Sequence, residues 1–135
     1  MREILFRGKR KDCNEWEIGD YSKYHHSYGI ISHYINGFEY EVYPETVGQY
    51  TGINDKNGNR VFEGDIVALD ERVKMLFNIN DGVGVVDYRG GEFYVKTFFV
   101  KSTTIDTLNA LITYDDILRG EVIGNIYDNP ELLTT

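Results

Sequence analysis

The chain has a single cysteine, Cys13, so no internal disulfide is possible. A lone thiol fits a reducing compartment, and no histidine stands at a spacing that would make it a nucleophile. Only two of the 135 residues are proline, and no apolar run approaches the ~20 residues needed to span a bilayer as a helix. Residues Met1–Arg7 are charged from Arg2 onward and have no long apolar core, so they are not expected to act as a signal peptide. Positive charge is also scarce, with 14 Lys and Arg against 22 Asp and Glu for a net charge of −8. That balance argues against sequence-independent binding of DNA or RNA, which needs a basic footprint. The exception is the cluster Arg7, Lys9, Arg10 and Lys11. Its plain reading is a charged hairpin turn. The alternative is a phosphate-binding patch, with Trp16 and Tyr21 as stacking platforms.

The sequence is rich in tyrosine and glycine, at 11 and 14 residues, which suits β-structure with tight turns. With 41% hydrophobic and 14% aromatic residues it is too apolar for a disordered chain. At this length one domain, or a domain with a small appendage, is expected.

The densest turn chemistry lies in Asn54–Asn59, where Asn57-Gly58 signals a hairpin. Gln49–Ile53 reads as a strand with a kink at Gly52, and Arg60–Glu63 as a short strand able to pair back across the turn. Ile66–Leu69 is a compact buried strand. Asp55-x-Asn57-x-Asn59 looks like the start of a calcium loop, but the sixth and twelfth positions hold Arg60 and Ile66 where glycine and a bidentate carboxylate are required. Glu63 and Asp65 share a face if extended and are candidates for a carboxylate pair; a turn that caps a strand is the favoured reading.

The N-terminal section reads as hairpins. Glu3–Arg7 and Glu15–Gly19 form the first, with Trp16 and Ile18 on one arm facing either Leu5 or the Ile4/Phe6 pair on the other. Gly29–Ile35 and Phe38–Tyr43 form the second, around Asn36-Gly37. His25, His26 and His33 do not match a familiar metal-site spacing and read as surface residues. Pro44–Val47 is the expected boundary, giving an N-terminal hairpin section at 1–46 and a β-core at 47–135. In that core Gly82–Tyr88 and Glu92–Lys96, extended by Phe98–Val100, read as strands. Gly82-x-Gly84 lacks the lysine and hydroxyl of a phosphate loop. Thr103–Asp106 suggests a helix start, so one short amphipathic helix is expected near 104–114. Asp115-Asp116 reads as exposed acids, Glu121–Tyr127 as a last strand, and Asn129-Pro130 as the opening of a brief terminal turn. The fold class is therefore mainly β with one or two short helices.

Four blocks carry a family resemblance. They are Met1-Arg2-Glu3-Ile4-x-Phe6-Arg7; Gln49–Ile53 with Asp55–Gly58 and Phe62–Val67; Gly84-Val85-Val86-x-Tyr88 with Gly91-x-Phe93; and Glu121–Tyr127 with Asn129–Leu132. On these residues the chain resembles the YopX family, small proteins of bacteriophages and prophages in mostly Gram-positive bacteria. The segments Asp20–Glu45 and Asp70–Asp81 lie outside the blocks. The resemblance implies an SH3-like small β-barrel in the C-terminal two thirds and a homo-oligomer; the lone thiol, in that phage setting, leads to the expectation of a location in the cytoplasm of the host bacterial cell. It implies no enzyme activity and no cofactor, and it transfers no catalytic or ligand residues.

Three functions follow as expectations. The first is a non-enzymatic phage accessory protein that self-assembles and binds a host or phage protein. The second is a nucleic-acid-binding regulator using Arg7, Lys9, Arg10, Lys11 and Trp16, which the net charge disfavours. The third is a metal-dependent hydrolase built on Asp65, Asp87 or a histidine, which lacks a nucleophile–base pair at any recognised spacing.

Overall fold

The computed structural model describes residues 4–68, 83–89, 92–101, 104–109 and 120–133. The chain forms two compact units, Met1–Gly52 and Ile53–Thr135. The division falls inside a strand, beyond the 44–47 stretch expected as the boundary.

The first unit contains β1 (Phe6–Lys9), β2 (Trp16–Gly19), β3 (Tyr21–His25), β4 (Ile31–Ile35) and β5 (Tyr40–Glu41). A 3₁₀ turn at Pro44–Thr46 leads into β6 (Gly48–Asn54). Strand β1 lies between β2 and β6, and β4 lies between β3 and β5. The β1–β2 register pairs Arg7 with Ile18 and Lys9 with Trp16. Trp16 and Ile18 therefore share a face with the Leu5 parity of β1, and the Ile4/Phe6 alternative is excluded. The turn sets this register: the Arg10 N–H donates to the Glu15 carbonyl and the Asn14 N–H to the Arg10 carbonyl, with Asn14 at φ 62. On the opposite face Gly8 lies against Val42, and Gly19 against Ile35. Val42 and Ile35 are fully buried and form the centre of this unit's core.

The second unit begins with the tight turn 55–59. It returns through β7 (Arg60–Phe62), which pairs with the end of β6, so the expected hairpin is present. The kink expected in β6 is present too, with Gly52 at φ 87. Strands β8 (Asp65–Ala68), β9 (Val83–Arg89), β10 (Glu92–Lys101), β11 (Thr104–Asn109) and β12 (Glu121–Asn125) form one antiparallel sheet of order β11-β10-β9-β8-β12. A second 3₁₀ turn follows at Pro130–Leu133. Val61, Phe62, Ile66, Val67 and Val86 are buried within this unit. The sheet is consistent with the expected SH3-like barrel.

The chain is thus mainly β, as the sequence predicts. The helix expected near 104–114 is not there over its first half: Thr104–Asn109 is strand β11, running antiparallel to β10 from Lys101↔Thr104 to Lys96↔Asn109. Thr104, Ile105 and Thr107 are β-branched and favour this outcome once a partner strand is available. Residues 110–114, the acids Asp115 and Asp116, and the segment 70–81 lie outside the described residues.

Candidate interaction surface

The hairpin of β3 and β4 pairs Tyr21 with Ile35, Lys23 with His33, and Tyr24 with Ser32; β5 adds Tyr40 opposite Ile35 and Glu41 opposite Tyr34. Residues paired across strands share a face. One face therefore carries Tyr21, His33, Ile35 and Tyr40, and turns inward within the unit. There the Tyr21 ring packs on Phe6, 5.5 Å between centroids, and its hydroxyl is hydrogen-bonded to His33 Nδ1. Burial pushes the Tyr21 phenol up, and burial with the Lys23 and Lys11 charges pushes the His33 imidazole down. Both groups are consequently neutral at pH 7, as an internal hydrogen bond between them requires.

The other face carries Tyr24, Ser32 and Tyr34, with Glu41 beside Tyr34 at its edge, and its rings form a continuous row. Tyr28 stacks on His26 at 5.0 Å, and His26 meets the edge of Tyr24 at 4.8 Å. Tyr24 meets Phe38 at 6.1 Å, and Phe38 meets Tyr34 at 5.3 Å. Most of these pairs have the edge-to-face geometry that aromatic quadrupoles favour. His26 Nε2 and Ser32 Oγ, 2.8 Å apart, fix the imidazole in the row. The row is open to solvent: Tyr24 is 50% exposed, Tyr28 69% and Phe38 63%, with Ile30 exposed beside it at the hairpin tip.

Phe38 reaches this row because it does not lie on a strand. The strand expected over Phe38–Tyr43 is shortened to β5, and residues 36–39 form a four-residue loop closing Ile35 onto Tyr40. Asn36 and Gly37 both have positive φ, as an Asn-Gly turn requires. The Asn36 amide donates to Glu39 Oε2 at 2.8 Å, and the Gly37 N–H to Asp20 Oδ1 at 3.2 Å. These bonds lift Phe38 over Tyr24 and Tyr34.

Sequence reasoning noted the tyrosines and histidines here and missed the surface they form. A usable signal was present. From Tyr24 to Phe38 there is no Asp, Glu, Lys or Arg, in a chain that carries 36 of them (14 + 22). Depletion of charge with enrichment of aromatics characterises the centre of protein interfaces.

The basic cluster has a different character. The Arg7 guanidinium carbon stands 4.8 Å from the Trp16 ring centroid and Lys9 Nζ stands 5.8 Å from it. Arg7 is only 9% exposed. Arg10 donates to both carboxylate oxygens of Asp12 and to Glu17, and lies 4.5 Å over the Tyr40 ring. The Asp12 carboxylate holds this guanidinium above its ordinary pKa. Lys11 Nζ is 3.1 Å from Glu41 and also faces the Tyr43 ring. The structure thus brings Arg7, Lys9 and Trp16 together on the β1–β2 face, while Arg10 and Lys11 are engaged with acids of their own unit. Cys13 is exposed in the same turn.

The candidates around the central turn are structural. Asp55 is nearly buried, and its Oδ1 accepts the N–H groups of Asn57 and Asn59 at 3.0 and 2.9 Å. Its Oδ2 accepts the N–H of Val122 at 2.9 Å and the Asn59 amide at 3.4 Å. These oxygens are committed to backbone donors, which is an Asx-type turn and not a calcium loop. Asp65 is buried and its Oδ2 accepts the Phe62 N–H at 2.7 Å, closing the turn before β8. Asp87 accepts the N–H of Tyr88. Among the described residues no group of three His, Cys, Asp or Glu is arranged to hold a metal ion, and no helix is long and apolar enough to cross a membrane.

Fold and surface together define a small, mainly β protein with a row of aromatic rings on one outward sheet face. The sequence profile described as YopX protein matches residues 5–134, so the chain belongs to the YopX family. The match spans the Asp20–Glu45 and Asp70–Asp81 segments that the four sequence blocks leave out. Among solved structures, the crystal structure of protein EF1440 from Enterococcus faecalis is similar over 98% of this chain and 99% of that one, with 24% sequence identity and a TM-score of 0.57. That likeness concerns the fold. No curated protein matches the chain.

Proposed function

We propose that this is a non-enzymatic accessory protein of a bacteriophage or prophage that self-assembles and binds protein through the outward face of β3–β5. One observation carries the reading: the row Tyr28–His26–Tyr24–Phe38–Tyr34 is contiguous, is exposed at Tyr28, Tyr24 and Phe38, and contains no formally charged residue. Rigid aromatic side chains bury large areas at little entropic cost, which is why they dominate interface energetics. A chain of net charge −8 repels another copy or an acidic partner over much of its surface, and the charge-free segment 24–38 keeps like charges few where these rings would meet a partner. The resemblance to the YopX family supports the phage setting of this reading, and the lone thiol supports a place inside the host cell.

Nucleic-acid binding by Arg7, Lys9, Arg10, Lys11 and Trp16 has less support. Arg10 and Lys11 would have to leave Asp12, Glu17 and Glu41 before meeting phosphate. Light scattering on the purified chain tests the proposal, with Tyr24→Ser/Phe38→Ser as the variant. Assembly of the parent chain that the variant lacks is the expected result. A strictly monomeric parent that also captures no phage or host protein would remove the reading.

A further inference from the structure

The turn 55–59 holds a second device besides its hairpin. Asn57 and Gly58 are exposed at its tip, Gly58 has φ 83, and nothing lies within 4 Å of where a Cβ would project from it. Among the described residues the Asn57 side-chain amide has no hydrogen-bond partner; only its backbone N–H is engaged, by Asp55. The Gly58 N–H donates to the neutral carbonyl of Asp55 at 3.0 Å. The other Asn-Gly pair has an equally open glycine, with Gly37 at φ 69, but differs in its bonds. The Asn36 amide is tied to Glu39, and the Gly37 N–H points at the Asp20 carboxylate.

We propose that Asn57-Gly58 is a site of spontaneous deamidation and isomerisation, and that conversion there releases the hold of the 55–59 turn on Gly120 and Val122. The chemistry needs only water. The Gly58 nitrogen gives up its proton to solvent and attacks Asn57 Cγ. The new C–N bond closes a five-membered succinimide while the Cγ–Nδ2 bond breaks and the side-chain nitrogen leaves as ammonia. Water then adds to one of the two ring carbonyls, and the ring opens to aspartate or isoaspartate.

Glycine suits the step because no side chain hinders the approach of its nitrogen. At Asn36 the anion that must form on the Gly37 nitrogen would face the Asp20 carboxylate, which disfavours it by like charge, while Glu39 holds the side-chain amide in place. At Asn57 the neighbouring charges are Asp55 and Lys56, of opposite sign, with Lys56 in turn 3.4 Å from Glu121.

The consequence follows from geometry. Isoaspartate carries the main chain through its former side chain and lengthens the turn by one carbon between Asn57 and Asn59. Asp55 Oδ1 binds both those N–H groups, and its Oδ2 holds Val122. The Lys56 N–H donates to the Gly120 carbonyl at 3.1 Å from the same turn. A longer turn cannot keep all of these bonds.

The test is incubation of the full chain at mildly alkaline pH, followed by peptide mapping, isoaspartyl methyl acceptance and hydrogen exchange. Protein unfolded in denaturant serves as the control in which both Asn-Gly pairs convert. In the folded chain we expect conversion at Asn57 several-fold ahead of Asn36, abolished by Asn57→Gln, and faster exchange of the Val122 and Lys56 amides in the converted fraction. An intact Asn57, or one that lags behind Asn36, overturns the site. Conversion with unchanged exchange at Val122 and Lys56 overturns the release.

Discussion

The carboxylate of Asp55 accepts the backbone N–H of Val122 across 67 residues of sequence, at 2.9 Å. One side chain thereby closes the hairpin turn and fastens the start of the last strand. Replacing it with alanine leaves the N–H groups of Asn57, Asn59 and Val122 without their acceptor. Hydrogen bonds to charged groups are worth about 1.5–3 kcal/mol each, and some donors recover water, so Asp55→Ala is expected to cost roughly 3 kcal/mol. Asp55→Asn keeps one acceptor oxygen and should cost about half as much. Urea unfolding of the three proteins checks the order.

The same carboxylate makes stability depend on pH in the acid range. Burial pushes its pKa up, but the N–H groups of Val122, Asn59 and Asn57 and the Asn59 amide outweigh burial and hold it below its ordinary value. A carboxyl with a lowered folded pKa binds fewer protons in the native state than in the unfolded one. Its contribution is therefore complete above the ordinary aspartate pKa of about 3.9 and is lost as pH falls through that value toward the folded pKa. The stability gap between the parent chain and Asp55→Asn should be constant from neutral pH to about pH 5 and narrow below pH 4. Asp12, held low by Arg10, titrates in the same range but is exposed and adds little. Urea midpoints at several pH values measure the gap.

Gly8 and Val42 set the closest packing in the first unit. A Cβ on Gly8 would lie 3.0 Å from Val42 Cβ and Cγ2 and 3.1 Å from Cγ1. Val42 is fully buried and branched at Cβ, so it has little room to yield. Gly8→Ala is expected to destabilise by about 1–3 kcal/mol. Adding Val42→Ala to it should cost less than Val42→Ala costs the parent chain, because the new methyl then fills the space vacated. A double-mutant cycle by thermal or urea unfolding gives the coupling.

Phe38 and Tyr24 should separate stability from association. Both rings are exposed, so Phe38→Ser and Tyr24→Ser are expected to change unfolding stability by only a few tenths of a kcal/mol up to about 1 kcal/mol. Each should weaken assembly about tenfold or more, the loss typical when an aromatic at the centre of an interface is truncated. Sedimentation of each variant over a concentration series, with thermal melts alongside, reads the two effects independently.

Much of the local structure was legible in the sequence, and the misses share one cause. Asn57-Gly58 and Asn36-Gly37 announce turns, and Gly52 announces the kink in β6, because the φ values they need are fixed by a few neighbouring atoms. The register of β1 against β2 was not legible, since Leu5 and the Ile4/Phe6 pair fit the apolar pattern equally. The bonds between Arg10, Asn14 and Glu15 chose between them. The hydroxyls and carboxylate of Thr103–Asp106 suit a helix start, yet Thr104–Asn109 is a strand because β10 lies alongside to pair with it.

The amino-acid sequence by itself determined a mainly β protein of the YopX family, acidic, with a single thiol and punctuated by tight turns. These properties depend on composition and on chemistry confined to a few consecutive residues. Tertiary structure alone decided that Asp55 fastens Val122, that Arg10 meets Glu17, and that Tyr28, His26, Tyr24, Phe38 and Tyr34 line up on one outward face. Those pairings join residues on separate strands and loops. Their free energy arises only when strand register and loop closure bring the groups within van der Waals or hydrogen-bonding distance.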